Sequence, residues 1–212
     1  MKPSVVTTET ATFVFGSWFG AGRTTYEYLE KGSTTWQEGK IPIPGGFSFG
    51  SAIAINQEIY LIGGLGTEKR ILSFDVHNHS FKKLSTELNE RRFGNNCAII
   101  PGGRNKIMIT GRYFPGSEGL KSTEIFDAEN ESITMGSPLN SKRIGYGVGV
   151  ITINNEDRLV AFGGLGYENY GSVEVYNDST KEWETKSMNL NYSSRYNIAY
   201  LSVRLGDIID QL

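Results

Sequence analysis

The sequence contains one cysteine and two histidines in 212 residues. Cys97 alone cannot close an internal disulfide, which argues against a bridge-stapled extracellular domain and predicts a reducing, cytoplasmic setting. Apolar runs stop at about four to six residues, far short of the ~20 that cross a bilayer as a helix. Met1 to Glu9 show no apolar core of a secretory signal, so none is predicted. Lys and Arg total 21 against 23 Asp and Glu. The clustered basic excess that nucleic acid requires is therefore missing. The expectation is a soluble protein with neither nucleic-acid nor membrane partners.

Glycine, by contrast, is plentiful, at 26 residues against a usual share of ~7%. With no collagen period, this load implies many tight turns. Four segments end an apolar strand in small residues: Phe13-Val14-Phe15-Gly16-Ser17, Ile59-Tyr60-Leu61-Ile62-Gly63-Gly64, Ile107-Met108-Ile109-Thr110-Gly111-Arg112 and Leu159-Val160-Ala161-Phe162-Gly163-Gly164. Their first glycines, 16, 63, 111 and 163, lie 47, 48 and 52 residues apart. About a dozen residues after each glycine comes an alternating segment, such as Leu72-Ser73-Phe74-Asp75 or Glu174-Val175-Tyr176-Asn177. Such alternation predicts a half-buried strand. Phe74 to Phe81, Phe126 to Ile133 and Tyr176 to Trp183 are each seven apart, and Tyr28 to Trp36 eight, read as a one-residue insertion. Asn- and Asp-rich turns lie between them. A further strand precedes each glycine strand from residue 51 onward, giving four strands per repeat.

A diglycine after a four-residue apolar strand, followed by spaced Tyr and Trp, resembles the kelch family. Gly63-Gly64, Gly163-Gly164 and Tyr176/Trp183 match best, while Gly16-Ser17 and Gly111-Arg112 depart from the diglycine. The resemblance spans residues 13 to 203 and implies an all-β β-propeller of four-stranded antiparallel blades, about four of them, closed or as an incomplete ring. Residues 1–12 are read as an N-terminal segment and 204–212 as a tail. The blades are expected near 13–45, 46–90, 91–140 and 141–190, with 196–203 closing the first as a clasp strand. An incomplete ring would favour self-association. Glycines at the strand ends admit close backbone, and Trp36, Phe81, Tyr176 and Trp183 are expected to fill space between blades. In the tail, Leu205, Ile208, Ile209 and Leu212 carry helical spacing.

No catalytic constellation emerges, and neither metal nor cofactor is expected. His77 and His79 share one predicted turn and are read as exposed. Cys97 is read as a buried, inert thiol. The clusters Gly63-Gly64-Leu65-Gly66 and Gly163-Gly164-Leu165-Gly166 lack the Lys and Ser/Thr of a phosphate loop. Asn-x-Ser sequons begin at Asn78, Asn130, Asn177 and Asn191, three of them in predicted hairpin turns.

The resemblance implies a protein-interaction module rather than an enzyme, with post-glycine and inter-blade loops on one face. Arg92, Arg143 and Arg195 recur in the inter-blade loops, and Arg suits recognition of an acidic peptide or loop. The same position allows a second role, bracing backbone between blades. Trp18, Tyr113, Phe114, Tyr167 and Tyr170 add aromatics from the post-glycine loops, the composition of binding hot spots. The alternative class is a carbohydrate-binding or carbohydrate-active propeller without a metal site.

Overall fold

A computed structural model of the chain describes residues 3–16, 23–111, 119–153, 155–164 and 172–189. It is all-β among those residues, with four four-stranded antiparallel sheets, each a simple meander. These are blades of the β-propeller kind. Two compact units divide the chain, Met1–Asn95 and Asn96–Leu212.

The first unit holds β1 (Ser4–Thr7), β2 (Ala11–Phe15), β3 (Thr25–Glu30) and β4 (Gln37–Lys40), then β5 (Ser51–Ile55), β6 (Glu58–Ile62), β7 (Arg70–Asp75) and β8 (Ser80–Glu87). Its core gathers Phe13, Phe15, Tyr26, Phe47, Ile59, Leu61, Leu72 and Phe74. Ring centroids of Phe74 lie 5.0 Å from Tyr26 and 5.4 Å from Phe13, both edge-on, the geometry the aromatic quadrupole favours. The second unit holds β9 (Asn96–Ile99), β10 (Lys106–Thr110), β11 (Thr123–Asp127) and β12 (Ser132–Gly136), then β13 (Gly147–Ile153), β14 (Glu156–Phe162), β15 (Ser172–Asn177) and β16 (Glu182–Asn189). Met108, Tyr146, Val148, Leu159, Ala161, Tyr176 and Trp183 form its main core.

The repeat glycines do what the sequence asks of them. Gly16, Gly63, Gly111 and Gly163 all adopt positive φ, between 68° and 79°. At Gly64, with φ of 100°, a Cβ would sit 2.7 Å from the Ser48 carbonyl oxygen. No larger residue fits there without backbone movement.

Three expectations need correction. First, the place beside β2 that the sequence reading gives to residues 196–203 is taken by β1, which pairs Ser4 with Phe15 and Val6 with Phe13. Ser4 Oγ also donates to the Gly50 carbonyl at 2.8 Å. The run Ser-Val-Val-Thr, β-branched at its last three positions, suits a strand, but at four residues it is easily passed over. Residues 196–212, including the tail's helical pattern, lie outside the described residues.

Second, the seven-residue spacing is a cross-strand pair. Phe74 faces Phe81, Phe126 faces Ile133 and Tyr176 faces Trp183. In the first blade Tyr28 instead faces Gln37, and its hydroxyl donates to Gln37 Oε1 at 2.7 Å. Trp36 falls one place outside the register and is 47% exposed. It fills no inter-blade space.

Third, two of the third strands are more than half-buried. β7 and β15 are buried at nearly every position. Polar residues go inward too: Ser73 of β7 is 3% exposed, and Glu124 of β11 and Glu174 of β15 are 0% exposed. A buried carboxylate needs partners, and those partners define the site below.

Three of the four hairpins joining third to fourth strands share one construction. Asp75 Oδ1 accepts from the N–H groups of His77 and Asn78, and Asp127 Oδ1 from those of Glu129 and Asn130. Asn177 does the same with Ser179 and Thr180. Each turn then leaves through a left-handed residue: His79, Glu131 or Lys181.

Candidate functional site

The end of each blade that carries the repeat glycine is where inter-blade loops return, and backbone hydrogen bonds tie the two together. In the first unit Gly64 N donates to the Arg92 carbonyl at 2.9 Å, Leu65 N to Ser48 O at 2.8 Å, and Arg92 N to Glu68 O at 2.8 Å. In the second, Leu120 makes a β-bridge with Arg143. Residues 17–22, 112–118 and 165–171, which follow Gly16, Gly111 and Gly164 in sequence, lie outside the described residues.

Arg143 is the fastener of the fourth blade. Its Nη1 donates to the carbonyls of Gly163 (2.9 Å) and Ser172 (3.0 Å), and Nη2 to Ser172 Oγ (2.6 Å). Nε and Nη2 both reach Glu174 Oε1, at 3.1 and 2.9 Å. The Glu174 carboxylate also accepts the N–H groups of Asn140 (2.6 Å) and Ser141 (3.2 Å). Arg143 is 3% exposed and Glu174 not at all. Every polar atom of this pair is used inside the blade, which is how a buried ion pair meets its desolvation cost.

That geometry corrects the partner-facing reading of the arginines. Arg143 braces backbone and presents nothing to solvent. Arg92 is likewise fully buried, donating from Nη2 to Glu90 Oε2 at 3.1 Å. Arg195, Trp18, Tyr113, Phe114, Tyr167 and Tyr170 lie outside the described residues. The sequence reading misses Arg91, which is 69% exposed and sits 3.5 Å from Glu68 Oε2. Partial burial raises the Glu68 pKa, but N–H groups at Glu68 and Gly66 together with the Arg91 guanidinium outweigh it and hold the carboxyl below its ordinary range. The Arg91-Arg92 doublet is the available signal: one residue goes in and the other stays out.

His77 is exposed, but His79 is half-buried. Its Nδ1 lies 3.0 Å from the Tyr26 hydroxyl, and its ring meets Tyr28 edge-on at 4.5 Å. The read of both histidines as exposed therefore fails for His79, because the left-handed turn points it back over the aromatic core. Cys97 is half-buried rather than buried. Among the described residues no three His, Cys, Asp or Glu side chains are grouped to hold a metal.

No protein-family model matches the sequence. Over 127 residues, 59% of the chain, it is 31% identical to a kelch repeat-containing protein of Dictyostelium discoideum. The chain covers 19% of that relative's length. The solved structure of YjhT superposes over 92% of the chain with a TM-score of 0.71 at 12% identity. That match takes in 67% of YjhT and speaks for the fold.

Proposed function

Because the chain is built of kelch-type repeats, we propose that it is a protein-interaction module, not an enzyme, whose partner docks on the glycine ends of the blades. The observation that carries this reading is the bonding of post-glycine turns to inter-blade loops, as in Gly64 N to Arg92 O at 2.9 Å. Rigid scaffold beneath adjacent loops is how binding residues are usually presented. The segments that follow the glycines in sequence hold Trp18, Tyr113, Phe114, Tyr167 and Tyr170, and aromatic anchors dominate interface energetics. With Arg92 and Arg143 buried, the partner's surface is expected to answer the aromatics first and Arg91 and Arg195 second.

The test is affinity capture with mass spectrometry, comparing the natural chain with Trp18→Ala and the Tyr113→Ala/Phe114→Ala double variant. Each anchor lost is expected to cost about 2 kcal/mol or more of binding at an unchanged melting temperature. If the variants retain the same proteins in the same amounts, the glycine ends are not the docking face.

A further inference from the structure

We propose that the outer edge of β12, with the groove beside it, takes an extended peptide of a partner protein as an added strand. The groove lies toward the opposite end of the blade from the glycines, while Met135 pairs with Glu124 nearer to Gly111; neither depends on the reading above.

An edge strand displays a row of free N–H and C=O groups, and proteins blunt such edges with charge. Three of the four outer strands follow that rule. β4 carries Glu38 and Lys40, β8 carries Lys82, Lys83 and Glu87, and β16 carries Glu182, Glu184 and Lys186. β12 reads Ser-Ile-Thr-Met-Gly, with no charge at all. It pairs only with β11 among the described residues, and Met135 is 53% exposed. An uncharged open edge is the requirement for strand addition.

The second observation is what lies alongside. A concavity of about 500 Å³ is lined by Ile100, Ile125, Thr134 and Tyr176 together with charged side chains, Arg104 and Glu129 among them. Ile125 and Thr134 are cross-strand partners, so the groove runs beside the edge itself. Alternate side chains of an added strand would point into it. Lys181 is paired with Asp178 at 2.6 Å and Lys106 with Asp127 at 3.7 Å. Arg104 makes no hydrogen bond or ion pair among the described residues. The fitting occupant is thus a segment with apolar residues at every second position and an acidic residue placed to meet Arg104.

The experiment pans a phage-displayed library of random twelve-residue peptides on the full chain and measures recovered peptides by fluorescence polarisation. Met135→Lys, which gives β12 the charge its counterparts carry, is expected to weaken binding at least tenfold. Arg104→Glu is expected to weaken it several-fold. Neither substitution should move the melting temperature, since both side chains are exposed. N-methylating alternate amides of the peptide should abolish binding in one alternation and spare it in the other. The proposal is overturned if no peptide is recovered, if recovered peptides bind Met135→Lys equally well, or if both methylation patterns are tolerated. Loss of binding on Trp18→Ala in place of Met135→Lys would overturn it too. So would sedimentation showing that β12 is occupied by a second copy of the chain.

Discussion

Arg143 and Glu174 meet through two hydrogen bonds to one carboxylate oxygen, at 3.1 and 2.9 Å, inside the fourth blade. The second blade fills the equivalent positions differently. Phe47 stands four residues before the first strand, as Arg143 does, and Leu72 stands two before the strand's aromatic, as Glu174 does. Phe47 is 1% and Leu72 4% exposed, and both belong to one core cluster. The chain therefore uses an ion pair and an apolar couple for the same structural task. Breaking a buried pair from one side costs about 3–5 kcal/mol, whereas apolar replacement of both is often neutral. Arg143→Ala should lower stability by that amount in denaturant unfolding, and Arg143→Phe with Glu174→Leu should restore most of it. A double variant as weak as the single one would show that the carboxylate's backbone bonds matter more than the pair.

Left-handed backbone is handled in two ways, and glycine substitution separates them. Gly64 faces both a φ of 100° and the Ser48 carbonyl, so Gly64→Ala should cost well over 1 kcal/mol. Glu131, half-buried, and Lys181, exposed, adopt φ of 46° and 61°. Replacing either by glycine should stabilise the chain by up to about 1 kcal/mol, because an L side chain pays to sit there. Thermal midpoints moving in opposite directions for the two classes would bear this out.

Much of this architecture was legible in the sequence, since glycine ends and cross-strand aromatics recur at near-fixed spacing. The polar positions of the third strands were not. Glu124 and Glu174 alternate with apolar residues as an exposed face would, and only a distant arginine reveals that Glu174 is buried. The candidate site shows the same limit from the other side. Recurrence located Arg92 and Arg143 at one end of the blades but could not say whether a guanidinium points outward or into the backbone. Trp36 misled because aromatic identity was weighted above register.

Trp36 and Trp183 consequently make opposite predictions. Trp183 is 4% exposed and packed on Tyr176 at 5.3 Å, so Trp183→Ala should cost about 3–5 kcal/mol. Trp36→Ser should change stability by less than about 0.5 kcal/mol. In urea-free buffer the Trp183→Ala variant should also lose the short-wavelength part of the indole emission that a buried Trp183 contributes.

Acid stability should report on the hairpins that begin with aspartate. In Asp75, N–H donors from Asn78 and His77 hold the carboxyl below its ordinary pKa. In Asp127, slight burial pulls upward, but hydrogen bonds from Asn130 and Glu129 and the charge of Lys106 prevail, and the pKa again falls. A carboxylate depressed on folding binds fewer protons folded than unfolded, so stability rises with pH across that window. The contribution is complete above the unfolded value of about 3.9 and disappears as pH falls through the lower folded value. Asn177 shows that an amide caps the same turn without charge. Asp75→Asn with Asp127→Asn should therefore keep the turns while flattening the decline in melting temperature between about pH 5 and pH 3. Identical acid limbs for the natural chain and the double variant would assign that decline to other carboxylates.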